Sequence, residues 1–293
     1  MPVSAPILGE DCLILTGPTA TGKTAVAVRM AQRLEAEILS VDSIAVYQGL
    51  DIGSAKPTAS EQAAVRHHLI DLVSPMTPFS VADWLATAAR AMSDCRRRGR
   101  RILLVGGTPL YLRCLRDGLD DLPASDETLR TRLVAEAAAK GSGPLHERLA
   151  AADPLRAAKI HPNDTKRIIR SLEVLEATHQ VQPQTWSSTD RPLFPCPLMV
   201  LDTPRRLLNE RIDRRVDAMF ARGLLEETAA AEAAGGIGQV AAQAAGYAEA
   251  RDCLQGRISQ AEAVSRTKQR TRQLAKRQRT WLRSFPDAIW VTG

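Results

Sequence analysis

The sequence predicts an α/β protein: a parallel sheet flanked by helices, with a helical insertion domain and a basic C-terminal helix. Three observations carry this. The apolar run Cys12-Leu13-Ile14-Leu15 leads through a glycine-containing loop into an alanine-rich helical pattern, Ala25 to Leu34. Arg101-Ile102-Leu103-Leu104-Val105 reads as a strand buried on both faces, as parallel strands are. From Ser125 to about Gln180, helical periodicity replaces any strand-like alternation.

Composition sets the bounds. The chain has 293 residues, enough for one large domain or two ordinary ones, and its 44% apolar content supports a real core. No apolar run approaches the roughly 20 residues that span a membrane. Met1 to Glu10 has neither the basic end nor the apolar core of a signal peptide, so a cytoplasmic protein without a membrane partner is expected. The five cysteines are scattered and form no C-x-x-C pair, which argues against disulfides and a structural zinc site. His67 and His68 are neighbours that a strand would point to opposite faces. A net charge of +6 is weak evidence for a polyanionic partner. Its distribution says more: Arg266 to Arg283 holds eight Lys/Arg residues and no acid, with Trp281, Phe285 and Trp290 around its end.

Taken in order, the first loop is Gly17-Pro18-Thr19-Ala20-Thr21-Gly22-Lys23-Thr24, which fits the phosphate-loop pattern G-x-x-x-x-G-K-[ST] between a strand and a helix. Loop N–H groups and the positive helix end hold phosphate oxygens, Lys23 adds a point charge, and Thr24 offers a hydroxyl to Mg2+. The sheet is therefore expected to be phosphate-loop NTPase-like. Glu37 to Val41 reads as the second strand, ending in Asp42-Ser43. Ligands bind at the carboxyl ends of such strands. Asp42 is thus a candidate base or substrate-positioning group, with a turn-capping aspartate as the alternative. Tyr47 to Pro57 reads as a loop and His67 to Val73 as a short strand.

Ser80 to Arg97 reads as a helix closed by Gly99, with Arg96-Arg97-Arg98 as helix-end charge. Gly106-Gly107-Thr108 ends the Val105 strand where many phosphate-loop ATPases carry a metal-binding Asp, and the glycines predict close approach of the backbone to a ligand. Composition shifts near Asp117 to Pro123. The core domain is expected over 1–118 and 193–293, and the insertion over 119–192. Within the insertion, Leu129 and Leu133 mark one apolar stripe and Ile168, Leu172 and Leu175 another, the second helix capped by Asn163 or Asp164. Lys166, Arg167 and Arg170 share one face. The proline-rich stretch from Arg191 to Pro197 leads to a strand, Leu198 to Asp202. A helix with Leu208, Ile212, Val216 and Met219 inward and Arg211, Arg214 and Arg215 on or beside the other face comes next. The basic helix and a last strand, Ala288 to Val291, complete the chain.

Seven blocks occur in order: the phosphate loop; Val41-Asp42-Ser43; Asp51-Ile52-Gly53-Ser54-Ala55-Lys56-Pro57; Gly106 to Tyr111; Ile160 to Asp164; Ala245-Gly246-Tyr247; and Thr271 to Trp281. From about residue 12 to 285 the set resembles the bacterial tRNA dimethylallyltransferases. The resemblance implies transfer of a dimethylallyl group from dimethylallyl diphosphate to the exocyclic amine of the adenosine 3′ of the anticodon (position 37). It implies Mg2+, the tRNA anticodon stem-loop as partner, and a monomer. Carried across by position, Asp42 looks like the base, with Thr19 and Ser43 as its neighbours, and Arg215 looks like a further catalytic group that contacts the diphosphate. Gly17, Thr19, Ala20, Thr21, Gly22, Lys23 and Thr24 look like the diphosphate cradle, with Thr24 on the metal. Asp42, Ser43, Ile44, Ala45, Thr108, Arg130, Lys166, Arg167, Arg170, Gly246, Tyr247, Lys276, Arg277, Gln278, Trp281 and Arg283 look like tRNA contacts.

Ala45 departs from a glutamine common in the family, Ser54 from a threonine, and Ala245 from a β-branched residue. Three other readings stand beside this one: a phosphate-loop kinase of a small metabolite or nucleotide, a non-catalytic RNA-binding ATPase, and a prenyltransferase of free adenine nucleotides.

Overall fold

The protein is described by a computed structural model that covers residues 8–119, 123, 126–178 and 196–292. Parts of two expected segments, Asp120 to Leu122 and Arg191 to Pro195, lie outside these residues, as do Met1 to Ile7. Six strands form one parallel sheet: β1 (Cys12–Thr16), β2 (Ala36–Ser40), β3 (His67–His68), β4 (Arg101–Gly106), β5 (Leu198–Asp202) and β6 (Ala288–Thr292), in the order β3-β2-β4-β1-β5-β6. β1 runs through the middle, paired with β4 from Cys12↔Ile102 to Thr16↔Gly106 and with β5 from Ile14↔Leu198 to Thr16↔Val200. The apolar runs work as central strands because both faces are covered, and Ile14, Leu15, Leu39, Leu103 and Leu104 are fully buried.

Helix α1 (Lys23–Leu34) lies on this sheet with Ala27 and Ala31 inward, against Leu15, Ile38, Leu103 and Leu201. Small residues let its axis sit close, and each large aliphatic side chain so buried contributes about 1.5–3 kcal/mol. After α2 (Ala59–Ala64), helix α3 (Val81–Arg97) starts in a capping box. Ser80 Oγ accepts the Asp83 N–H, and Asp83 accepts the Ser80 N–H at 2.9 Å. Its Trp84 donates Nε1–H to the Ser40 carbonyl at 3.2 Å. Trp84 also packs on Tyr111 of α4 (Pro109–Asp117), ring centroids 4.7 Å apart.

By internal contacts the chain divides into two compact units, one spanning Asp120–Arg191 and the other Val3–Leu119 with Pro192–Gly293. The smaller unit is helical, with α5 (Glu127–Lys140), α6 (Gly143–Ala152), α7 (Pro154–Ala157) and α8 (Thr165–Thr178). It has its own core of Leu133, Leu145, Leu149, Ile160, Ile168, Ile169 and Leu172. In the larger unit, α9 (Arg205–Ala221), α10 (Leu224–Ala233), α11 (Tyr247–Leu254) and α12 (Gln260–Leu282) lie between β5 and β6 in the chain.

Two expectations are corrected, and two others hold in sharper form. The strand expected over His67 to Val73 stops at His68, because Leu69 and Asp71 take positive φ values of 64° and 53° that end the ladder. Helix α8 is capped by Asp164, whose Oδ1 accepts the Arg167 N–H; Asn163 takes no part. The three arginines closing α3 are ion-paired, Arg96 with Asp11, Arg97 with Asp94, and Arg98 with Glu37 and Asp94. Gly106 and Gly107 make room for protein and not for a ligand. A Cβ at Gly106 would lie 2.0 Å from the Val41 carbonyl oxygen, and one at Gly107 would lie 2.7 Å from Gln278 Nε2.

Candidate active site at the phosphate loop

The phosphate loop joins β1 to α1 at the carboxyl edge of the sheet. Its backbone is bent through left-handed conformations at Ala20 (φ 65°) and Gly22 (φ 87°). Gly22 occupies the cap position of α1 and no side chain caps the helix start, so its first N–H groups are left to an outside acceptor. Thr21 Oγ1 donates to the Pro18 carbonyl at 2.9 Å. Lys23 Nζ folds back over the loop and donates to the carbonyls of Gly17 (2.9 Å) and Pro18 (2.8 Å). Thr19, Ala20 and Thr24 remain partly open to solvent.

Lys23, Arg215 and Asp42 form one electrostatic group. Burial pushes the Lys23 pKa down to about 7, the positive charge of Arg215 adds to the depression, and Asp42 opposes it. Arg215 is lowered too, by burial first, again with Asp42 opposing. Two cations held close at a helix N-terminus are a costly arrangement that a polyanion relieves. Arg215, expected on or beside the outer face of its helix, comes from α9 at the flank of the Ile212–Val216 stripe and is half-buried.

Asp42 lies just beyond β2. Its Oδ1 accepts the N–H groups of Ile44 (2.8 Å) and Ala45 (3.3 Å), so one oxygen caps the local turn. Oδ2 accepts no hydrogen bond among the described residues. The capping reading of Asp42 thus occupies one oxygen of the carboxylate and leaves the other without a donor among the described residues. Thr108 stands next to it, its Oγ1 accepting the Ser43 N–H at 3.3 Å. Ser43 and Ile44 are half-buried, while Ala45 is buried and offers no side-chain surface.

The loop after Tyr47 is pinned by two ionised groups. Lys56 has only 2% of its side chain exposed and donates to the Tyr47 carbonyl (2.5 Å), Asp51 (2.7 Å) and Asp71 (2.5 Å). From α10, the Glu227 carboxylate accepts the N–H groups of Asp51 (2.8 Å), Ile52 (2.7 Å) and Gly53 (3.1 Å), and the Tyr247 hydroxyl at 2.8 Å. Gly53 packs on the Tyr247 ring so closely that a Cβ would lie 2.4 Å from it. Tyr247 is therefore a buried part of this lock, and the buried Gly246 beside it donates its N–H to Glu249 at 2.9 Å. Sequence reasoning missed Glu227, since no local pattern marks one acid in an alanine-rich helix.

The basic helix α12 is less uniform than its sequence. Arg266, Lys268, Arg270, Arg272 and Arg279 pair with Glu262, Asp217, Glu249, Asp213 and Asp202. Lys276, Arg277 and Arg283 are exposed and carry no ion pair among the described residues. Lys276 and Arg277 line a surface groove with Gln273, Thr280 and Trp281, and the Trp281 ring has the Arg113 guanidinium 4.6 Å from its centroid. Gln278, expected among the tRNA contacts, is instead buried and turned toward the phosphate loop. In the helical unit, Lys166 and Arg167 are exposed, whereas Arg130 grips the buried Glu173 in a two-pronged pair at 2.7 and 2.9 Å, with Arg170 beside it.

A sequence model described as "IPP transferase" matches residues 45–285, most of the chain. The chain belongs to the IPP transferase family. Among its relatives, the tRNA dimethylallyltransferase of Geobacter metallireducens is 44% identical over 283 residues, 95% of this chain and 91% of that one. That of Anaeromyxobacter dehalogenans is 45% identical over 283 residues, 95% and 94% of the two chains. The crystal structure of the tRNA isopentenylpyrophosphate transferase of Bacillus halodurans superposes with a TM-score of 0.70 at 38% identity, covering 97% of this chain and 90% of that one. A eukaryotic dimethylallyltransferase acting on tRNA gives 0.79 at 26% identity, covering 96% and 73%.

This IPP transferase also holds one histidine, cysteine and acid together. His68 Nε2 lies 2.6 Å from Glu37 and 3.6 Å from Cys95 Sγ. The Arg98 guanidinium is 2.5 Å from the same carboxylate. Burial works to raise the Glu37 pKa, but hydrogen bonds from His68, Arg98 and Cys95 outweigh it and hold the carboxyl at about 2. Burial, reinforced by Glu37, pushes the Cys95 thiol up to about 12. A guanidinium in the cluster and a thiol that keeps its proton make this an ionic staple between β2, β3 and α3, poorly suited to a dication. Among the described residues, no helix is long and apolar enough to cross a membrane.

Proposed function

We propose that this family member transfers a dimethylallyl group from dimethylallyl diphosphate to the exocyclic amine of the adenosine 3′ of the anticodon in a subset of tRNAs, releasing diphosphate. The observation that carries the reading is the uncapped N-terminus of α1, with the half-buried cations Lys23 and Arg215 and the strand-end carboxylate Asp42 forming one electrostatic group there.

The amine nitrogen bonds to the first carbon of the allyl group as that carbon's bond to the diphosphate oxygen breaks. Charge develops on the leaving diphosphate, where Lys23, Arg215 and the loop N–H groups from Ala20 to Thr24 hold it. The amine proton passes to Asp42 Oδ2, which compensates for the poor basicity of an amine conjugated to the ring. Thr19 stands at the loop facing this exchange.

Mg2+ takes oxygen ligands and keeps substrate phosphates in its shell. Thr24 Oγ1, in the first turn of α1, is the hydroxyl that fits it, and when bound the ion neutralises diphosphate charge. The adenine must leave its stack to reach Asp42. The groove of Lys276, Arg277 and Trp281, with Arg283, suits phosphates and an unstacked base, and Lys166 and Arg167 suit the stem backbone. The protein is read as a cytoplasmic monomer.

The test is incubation with Mg2+, dimethylallyl diphosphate and unmodified tRNA, followed by mass analysis of the RNA. One added prenyl group is expected. Transfer to AMP but not to tRNA, or consumption of ATP in place of prenyl transfer, would overturn the reading.

A further inference from the structure

Helix α12 presents its basic groove outward, but Gln278, within the same turns, points the other way and is 9% exposed. Its Oε1 accepts the Thr19 N–H at 2.9 Å, and its Nε2 donates to the Gly107 carbonyl at 2.7 Å. Both ends of the amide are therefore committed inside the fold. The Thr19 N–H is likewise spent on Gln278 and is not an anion donor.

The phosphate loop needs such a hold. It passes through left-handed backbone at Ala20 and Gly22, conformations that persist only where their surroundings over-determine them. Lys23 and Thr21 brace it from within, on the carbonyls of Gly17 and Pro18. Gln278 braces it from a distant element, at the peptide that carries Thr19. An amide suits the position because one N–H and one carbonyl must be satisfied together, and both are recessed at the sheet edge.

We propose that Gln278 is a positioning residue of the donor site: it sets the phosphate loop and Thr19 for the diphosphate, and so ties donor binding to the helix that carries the RNA groove. The inference rests on the reading of the loop as a diphosphate cradle. It removes Gln278 from the RNA contacts and makes α12 a wall of the donor pocket on one side and an RNA surface on the other.

The test compares Gln278→Leu, which loses both bonds, with Gln278→Glu, which keeps an acceptor for Thr19 but sets an oxygen against the Gly107 carbonyl. Affinity for inorganic diphosphate with Mg2+, the KM for dimethylallyl diphosphate, and affinity for an anticodon stem-loop RNA are measured on the full chain. Measurements are made below the thermal midpoint of each variant. Gln278→Leu is expected to weaken diphosphate binding and raise the donor KM about tenfold, the scale of one buried group left unsatisfied. RNA affinity should stay within twofold, and Gln278→Glu should fall between wild type and Gln278→Leu. Should Gln278→Leu not fold, Gln278→Glu alone decides, by a donor-side loss with RNA affinity kept. Unaltered diphosphate affinity in the variants, with or without a loss of RNA affinity, would overturn the inference. Wild-type protein that binds no diphosphate would instead overturn the reading beneath it.

Discussion

Tyr247 donates its hydroxyl to Glu227 at 2.8 Å, and the same carboxylate gathers three consecutive N–H groups of the loop at Asp51, Ile52 and Gly53. One acid therefore ties α11 to a loop that Lys56 ties in turn to Tyr47 and Asp71. Glu227→Ala would strand all four donors, and a destabilisation of about 2 kcal/mol is expected in urea unfolding, solvent relieving the exposed Asp51 N–H. Tyr247→Phe removes one donor and should cost about 1 kcal/mol. Because the two residues share a bond, the double variant should lose less than the summed single losses. Strict additivity would show that the bond contributes nothing.

Asp42→Asn separates the two oxygens of Asp42. Asparagine keeps an acceptor for the Ile44 and Ala45 N–H groups but takes no proton from an amine. Single-turnover prenyl transfer should fall roughly 10²–10⁴-fold, with thermal stability and stem-loop affinity close to wild type. Loss of RNA affinity in step with rate would mean that Asp42 binds and does not act as base.

Lys23 should make donor binding pH-dependent. Its pKa is about 7 in the folded protein, against about 10.4 in an unfolded chain. Below about pH 7 it is charged in both states, and the cost of enclosing the charge is fully present. Between about 7 and 10.4 the unfolded chain holds more protons, so this residue's contribution to stability rises with pH. A diphosphate in the loop restores the ammonium, so binding near pH 8 should take up a proton. Calorimetry in buffers of different ionisation enthalpy should show more uptake by wild type than by Lys23→Met. Equal uptake would remove Lys23 from the cradle.

Glu37 should govern part of the acid stability. Its carboxyl sits at about 2 when folded and about 4.3 when unfolded. Its stabilisation is complete above the unfolded value and is lost as pH falls through the folded one. Glu37→Gln should therefore flatten the dependence of urea stability on pH between about 4.5 and 2. A slope equal to wild type would mean that the His68 and Arg98 contacts do not hold in solution.

Much of the fold is legible in the residues because its strands are short apolar runs and its turns are punctuated by glycine and capping side chains. Cys12 to Thr16, Ala36 to Ser40 and Arg101 to Gly106 all declare themselves, as does the phosphate loop. Relationships between distant residues are not legible in this way. A run of eight basic residues gives a charge, but not which members are neutralised by Asp213, Asp217 or Glu249 and which stay free. Helical periodicity places Gln278 among the basic residues of α12, yet only packing reveals that it faces Gly107 and Thr19. Gly106 and Gly107 are legible as a close approach, but what approaches is the Val41 carbonyl and the Gln278 amide.

The central place of β1 has a consequence for how the molecule comes into being on the ribosome. This strand leaves the exit tunnel early, yet Ile14, which can pair with Leu104 on one side, finds its partner on the other only when Leu198 appears. At roughly 5–20 residues per second, that is a wait of about ten to forty seconds. Throughout it, one side of β1 has no strand beside it, and the loop that follows lacks Gln278 to hold it. The first part of the site to be translated is thus among the last to be finished, so a nascent chain that has not reached residue 278 carries the phosphate-loop sequence without its distal brace.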